Sequence, residues 1–432
     1  MEQFLYYLKV SSISIKRAPL PYFLTILIMS VGLGVFFANA TFYYWLKHDP
    51  LPGKSAQLFH PRMNSNPNLC STSCEAPRVL SYRDIKALTS TDIASASAAM
   101  YSAEGYAKVK EQQPATRANI RVTQRDFFSM FDVPVLKGAV WPDNETRMEV
   151  IISKAFAQKM FGSDDVVGQS LILDDRFFKV VAVLDDWGMF PRLYEPAHGG
   201  YLEPDADLYL PLETAYDLNY ASNRQSQSFE DADFQKLATD GRTKAIHQLL
   251  LWVYLPTAEQ QQQYRDFMNN LVQSEKAAGR HPNANGNLLH PMNGIMQAYD
   301  AESQEVKAFA LVTALFLLVC LFNASHLSLN RYIANQYEIS LRRALGASRW
   351  QLQGQMLADV LVTAGLALLL AVLIALAGIA LMNHLLPDNS RMASWDGTLI
   401  GGLVGLTLLS AYLVTLYPAL RASFGALNQQ LK

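Results

Sequence analysis

Leu361-Val362-Thr363-Ala364-Gly365-Leu366-Ala367-Leu368-Leu369-Leu370-Ala371-Val372-Leu373-Ile374-Ala375-Leu376-Ala377-Gly378-Ile379-Ala380-Leu381 contains no ionisable side chain. A helix satisfies its own backbone N–H and C=O groups in a medium without water, and about 20 apolar residues carry it across the hydrocarbon core. The stretch reads as a membrane span, and with its flanks it covers about Met356 to Met382. Three further runs pass the same test: about Pro21 to Leu46, Ala308 to Leu329, and Thr398 to Leu420. The whole-chain average hides them. The chain is 432 residues long and 50% hydrophobic, with a mean hydropathy of +0.06, because a polar middle is averaged with very apolar ends. A net charge of −2 leaves no basic footprint for nucleic acid, so no nucleic-acid partner is expected.

Lysine and arginine in the short flanks set the orientation. Lys9, Lys16 and Arg17 precede the first span, Arg331, Arg342, Arg343 and Arg349 lie between the second and third, and Arg421 and Lys432 follow the fourth. These flanks are expected inside. The third-to-fourth connection carries Arg391 against Asp388 and Asp396 and is expected outside. The fold class is therefore membrane α-helical, with four transmembrane helices, both termini inside (N-in/C-in), and a large α+β extracytoplasmic domain inserted between helices 1 and 2. The boundaries are an interfacial helix at 1–18, spans at 19–46, 306–330, 354–383 and 398–421, and an outer domain at 47–305. A cytoplasmic segment at 331–353, a short outer loop at 384–397 and a tail at 422–432 complete the chain.

The first run also offers a signal-peptide reading, since Ala38-Asn39-Ala40 fits an A-x-A cleavage site. Against it, the apolar run continues through Phe42, Tyr43, Tyr44, Trp45 and Leu46, an aromatic belt of the kind found at membrane interfaces. Ahead of that run, Phe4, Leu5, Leu8 and Ser12 recur at helical spacing. Met1 to Arg17 reads as a helix lying in the interface, with a solvated leader as the alternative.

The outer segment exceeds the usual domain size and should own a core. A helix is expected near Ser81, with strand-like pieces around Ala98 to Val109. Ile120 and Val122 alternate with Arg121 and Thr123 in the two-residue rhythm of a half-buried strand. Strands are expected at Glu149–Ser153, Gln169–Leu173 and Phe177–Leu184, the last two joined by a turn at Asp174-Asp175-Arg176, and Ser153 should cap a short helix to Phe161. His247 to Leu255 is strongly apolar, Thr257 starts a helix, and Leu288 to Met292 reads as a returning strand. This arrangement splits the domain into one α+β part, about 47–117 with 244–300, and an inserted β-rich part, about 118–243. Ala221 to Thr243 is polar and reads as a surface loop or short helix.

No enzymatic constellation stands out, and no catalytic residue, bound cofactor or metal site is expected. Gly53-Lys54-Ser55 imitates the end of a P-loop, but His48 stands where the motif needs glycine. Cys70 and Cys74, five residues from end to end in Cys-Ser-Thr-Ser-Cys, suit a small disulfide in an oxidising compartment. A metal site that adds His60 to them lacks the spacing of a zinc motif. Cys320, inside the second span, reads as a small buried apolar residue.

The most informative polar stretch is Tyr337-Glu338-Ile339-Ser340-Leu341-Arg342-Arg343-Ala344-Leu345-Gly346-Ala347-Ser348-Arg349-Trp350-Gln351-Leu352. It reads as a short helix. Glu338 and Arg342 are spaced for an i,i+4 pair, Ile339, Leu341 and Leu345 are apolar, and Gly346 can end or bend it. Flanking positive charge explains the arginines but not the rest of the pattern. The stretch resembles the cytoplasmic signature of MacB-like and FtsX-like permeases. Val122-Thr123-Gln124-Arg125-Asp126-Phe127-Phe128, Lys137-Gly138, Val150-Ile151-Ile152-Ser153, Lys159 to Gln169 and Phe178 to Val183 are similar to that family's periplasmic core domain in order and spacing. The family commonly follows Gly138 with Arg and later Phe, where this chain has Ala139 and Trp141. Tyr417-Pro418-Ala419-Leu420-Arg421-Ala422 resembles its exit from the last span.

The resemblance implies a permease subunit of an ABC transporter in the bacterial inner membrane, which acts by mechanotransmission. Glu338, Ile339, Leu341, Arg342, Arg343, Leu345, Gly346 and Ala347 would couple to a separate cytoplasmic ATPase carrying ATP and Mg. Further implied partners are a second permease copy or paralogue, a periplasmic adaptor, an outer-membrane duct and membrane lipid. Efflux of a peptide, antibiotic or similar amphiphile is the leading expectation. Lipoprotein extraction and transmembrane signalling to a cell-wall hydrolase are the alternatives.

Overall fold

The computed structural model describes residues 2–47, 49–64, 76–187, 189, 191–196, 206–224, 226–228, 231–280, 287–295, 304–334, 337, 341–342, 344–346, 348–385 and 397–416. The chain divides into two compact units, one built on the apolar helices and one on Lys47–Ala301.

In the second unit the strands are β1 (Leu58–Arg62), β2 (Leu80–Ser81), β3 (Ala96–Lys108), β4 (Thr116–Thr123), β5 (Val135–Gly138) and β6 (Glu149–Ser153). They continue with β7 (Ser170–Leu173), β8 (Arg176–Leu184), β9 (Leu208–Pro211), β10 (Gln227–Ser228), β11 (Ile246–Tyr254) and β12 (Leu288–Pro291). The main path runs β12-β1-β11-β3-β4-β9-β6-β8-β5, with β2 and β10 on β11. Strand β7 bridges β3 and β8, so β3, β4, β9, β6, β8 and β7 close into a ring. Val122, Val150, Ile152, Leu173, Val180 and Leu208 belong to the large core on the ring's inner side.

Local chemistry sets the helices of this unit. Ser81 caps α3 (Tyr82–Leu88) and Thr257 caps α7 (Ala258–Ala277), each in a reciprocal capping box that satisfies orphan N–H groups of the first turn. Ser153 accepts from the Phe156 N–H at the start of α5 (Lys154–Phe161). The remaining short helices are α4 (Asp126–Met130) and α6 (Leu212–Asp217). The β7–β8 turn places Asp174 at φ 46° and Asp175 at φ 62°, the left-handed pair that a two-residue hairpin needs. Both aspartates also reach β3. Asp174 accepts from the Tyr106 N–H at 2.9 Å, and Asp175 pairs with Lys108 at 2.7 Å.

Strand β11 is buried almost throughout, and it is apolar from Leu249 to Val253 because both its faces are covered. Leu249, Leu251 and Val253 join the core beneath α3 and α7. Leu250 and Trp252 join a second, aromatic core with Phe127, Phe131, Trp141, Tyr194 and Tyr209. Residues 221–243, read as a surface loop or short helix, supply β10 on the edge of β11 and one π-helical turn at Leu237–Gly241. In that turn Leu237 packs into the main core.

The first unit contains α1 (Glu2–Arg17), α2 (Pro19–Lys47), α8 (Gln304–Ala334), α9 (Arg349–Leu385) and α10 (Gly397–Ala411), which runs into a π-helical turn at Tyr412–Leu416. Among the described residues, four stretches are long and apolar enough to cross a membrane: Pro19–Trp45, Lys307–Arg331, Gly354–His384 and Gly397–Val414. The fourth was expected to reach Leu420, and residues 417–432 lie outside the described residues. Small residues let the helices approach closely. A Cβ on Gly34 would stand 2.7 Å from Ile374 Cβ, and one on Gly32 would stand 2.7 Å from Cys320 Cβ. Ala364, Ala367, Ala371 and Ala375 line the buried side of α9, while Leu366, Leu369, Leu373 and Leu376 face outward. One side of α1 packs on α9, with the Tyr7 ring against Gly354. Its Tyr6, Lys9, Ile13, Lys16 and Arg17 are on the exposed side.

Candidate functional site

The segment between α8 and α9 was singled out by sequence, and its described residues include helical positions that end at Gly346, just before α9 begins. Tyr337, Leu341, Arg342 and Ala344 are helical. The Leu345 N–H reaches the Leu341 carbonyl at 3.0 Å. Gly346 then adopts φ +97°, a left-handed conformation that glycine takes without a Cβ penalty and that commonly ends a helix. Two residues later Ser348 and Gln351 form a reciprocal cap. The Gln351 N–H donates to Ser348 Oγ at 3.2 Å, and the Ser348 N–H donates to Gln351 Oε1 at 2.9 Å. This Ser-x-x-Gln box starts α9, and its pattern was readable in the sequence although the sequence reading did not use it.

Tyr337, Leu341 and Leu345 recur every four residues and are 68%, 44% and 80% exposed. Residues four apart lie on one helix face, so this element presents an apolar stripe. Arg342 turns inward, and its Nη1 donates to Gln355 Oε1 at 2.5 Å. Glu338, Ile339, Arg343 and Ala347 lie outside the described residues, and with them the expected Glu338–Arg342 pair. Cys70 and Cys74, with their suggested disulfide, lie outside as well.

Sequence reasoning missed a buried ionic group close by. Asp359 of α9 accepts from the Tyr22 hydroxyl of α2 at 2.7 Å and from Arg331 Nη2 of α8 at 3.0 Å. The Arg331 guanidinium carbon lies 3.9 Å from the centroid of the Tyr22 ring. All three side chains are buried. Arg331 had been counted as flanking positive charge, and Asp359 stands two residues before the apolar run that begins at Leu361. The available signal was their opposite sign on either side of one connecting segment.

Among the described residues of the other unit, no group of acidic, histidine or cysteine side chains could hold a metal ion. Lys54, in the P-loop imitation, pairs with Asp132 at 2.5 Å and donates to the Ser129 carbonyl at 2.8 Å, which is a loop-anchoring role. Buried Arg121 pairs with buried Glu195 beside the Tyr194 ring.

These features define a class: a multi-pass membrane protein carrying a folded α+β domain in the chain between its first two apolar helices. The family model for the MacB-like periplasmic core domain matches residues 22–268. That for the FtsX-like permease C-terminal region matches residues 308–426. The chain belongs to the MacB-like, FtsX-like family of ABC transporter permeases, transmembrane subunits of their transporters. A solved structure of the periplasmic region of MacB from Actinobacillus actinomycetemcomitans is similar to it at 12% identity and a TM-score of 0.36, covering 59% of this chain and 97% of that one. The extracellular domain of the ABC-type transporter YknZ from Gram-positive bacteria is similar at 14% identity and a TM-score of 0.35, covering 54% and 99%. A comparison with curated proteins returns no match.

Proposed function

We propose that this chain is the membrane half of an ATP-driven machine, in which a separate cytoplasmic ATPase moves the segment between α8 and α9 and the spans pass that motion to the outer domain. The observation that carries the reading is the run of exposed apolar residues Tyr337, Leu341 and Leu345 at helical spacing, which Gly346 ends just before the Ser348 cap of α9. An amphipathic helix of this kind is what a hydrophobic groove on a partner accepts. Packed helices shift between discrete arrangements, which lets a displacement at one end of a bundle reach the other. In this reading both termini and the stripe are cytoplasmic and the outer domain is periplasmic. ATP and Mg reside on the partner ATPase, and two permease subunits pair in the inner membrane. The cargo is a peptide, antibiotic or similar amphiphile exported from the periplasm through an adaptor and an outer-membrane duct.

The test is co-purification from the native host in mild detergent. An ATPase subunit should be retained by the wild type and lost from Arg342→Glu and Gly346→Pro, with monodispersity unchanged. Folded wild-type protein that never retains an ATPase refutes the coupling reading.

A further inference from the structure

We infer that Tyr22, Arg331 and Asp359 are positioning residues: together they clamp the roots of both helices that flank the coupling segment, and so set where its apolar stripe stands. The inference rests on the coupling reading for its purpose, while its geometry stands without it.

The three groups touch pairwise. Each Asp359 carboxylate oxygen takes one donor, Oδ1 from Tyr22 and Oδ2 from Arg331, and the guanidinium lies over the Tyr22 ring. The donors come from two different helices, α2 and α8, and the acceptor from a third, α9. Arg331 stands in the last turn of α8, and Asp359 is in the third turn of α9. Residues 335–348 join those two helices, so the ion pair ties the last turn of α8 to the third turn of α9 across the connecting segment. Arg342 adds a strut from the segment to Gln355, about one turn before Asp359. Tyr7 of α1 packs against Gly354 beside that strut.

Burial of charge is an inefficient way to hold helices together. Apolar side chains of similar volume often stabilise a bundle as well or better, because they carry no desolvation cost. The ionic group supplies direction instead. A carboxylate that takes one donor on each oxygen fixes the axial register of α9 against α2 and α8 together, and a slip of one helix breaks the contacts as a set. Ionisable side chains within spanning segments are rare and commonly functional. This one sits where the segment's displacement would enter the bundle.

The test uses the full chain in lipid nanodiscs, with native cysteines replaced and spin labels on paired cysteines. Labels at Leu345 and Leu369 report the segment against the bundle, and labels at Val319 and Leu369 report the bundle alone. All three sites are exposed. The double variant Arg331→Met with Asp359→Leu keeps the volume apolar and removes the uncompensated charge that could unfold a single variant. It should keep the bundle distance narrow and lose the single narrow segment distance. Tyr22→Phe, which leaves the ion pair in place, should broaden the segment distance to a smaller degree. A segment distance as narrow as the wild type's in the double variant overturns the inference. If the double variant loses the bundle distance, Tyr22→Phe decides, and an unchanged segment distance there overturns it equally. No ATPase takes part, so failure to recover one refutes the coupling reading alone.

Discussion

His60 shows how one side chain can make the outer domain sensitive to acid. It is fully buried in β1, with Nδ1 2.8 Å from the Leu251 carbonyl and Nε2 3.1 Å from the Arg78 carbonyl. A neutral imidazole has one N–H, and the shorter contact assigns it to Nδ1. Burial pulls the pKa down from 6.5 to about 4, against the two carbonyls, which favour the charged ring. Above pH 6.5 neither the folded nor the unfolded chain holds this proton. Between 6.5 and about 4 the unfolded chain takes it up and the folded chain does not, so stability falls as pH falls through that window. The full loss is about 3 kcal/mol at about 1.4 kcal/mol per pH unit. Thermal unfolding followed by tryptophan fluorescence, with Trp141 and Trp252 buried in the domain, should show a shallower acid slope in His60→Gln. Identical slopes in the two proteins would remove His60 as the cause.

At the scale of elements, helix contact in the membrane unit depends on which glycines face a neighbour. Gly34 of α2 has Ile374 Cβ 2.7 Å and the Ala371 carbonyl of α9 3.0 Å from where its Cβ would be, both closer than van der Waals contact, whereas Gly365 of α9 has nothing within 4 Å. Gly34→Ala should force α2 and α9 apart at a cost of about 1–3 kcal/mol, the usual range for overpacking. Gly365→Ala should be neutral or slightly stabilising, since alanine favours the helix. Melting in detergent compares the two, and equal effects would show that α2 and α9 are not in this register. The same contrast explains what could be read from sequence. The caps at Ser81, Ser153 and Thr257 and the turn at Asp174-Asp175 act within a few residues, so local pattern exposes them. Closure of β7 onto β3 joins Ala107 to Leu173, and the parallel pairing of β4 with β9 joins Ile120 to Leu208. Such pairings depend on distant partners and leave no local signature. Leu341 and Leu345 were legible as apolar positions of a segment read as a helix. Its anchoring was not, because a charge beside an apolar run looks the same whether it meets lipid headgroups or a buried partner 28 residues away.

For the whole molecule, orientation is the property on which the functional reading turns, and two observations bear on it, one on the side and one on which flanks share a side. The first is the excess of lysine and arginine before the first span and between the second and third, which predicts those flanks inside. The second is geometric: the contacts among Tyr22, Arg331 and Asp359 bring the start of the first span, the end of the second and the start of the third to one end of the bundle. A single decision about sidedness therefore carries all of these flanks together, and ATP is available to a partner only on the cytoplasmic side. Single cysteines in a background without native thiols test it at Gln113 of the outer domain and at Ser348 beside the stripe, both exposed. A membrane-impermeant maleimide should label Gln113→Cys in intact spheroplasts, and label Ser348→Cys only after the membrane is opened. The reverse pattern would put the stripe on the side that lacks ATP, and no ATPase could then drive the spans through it.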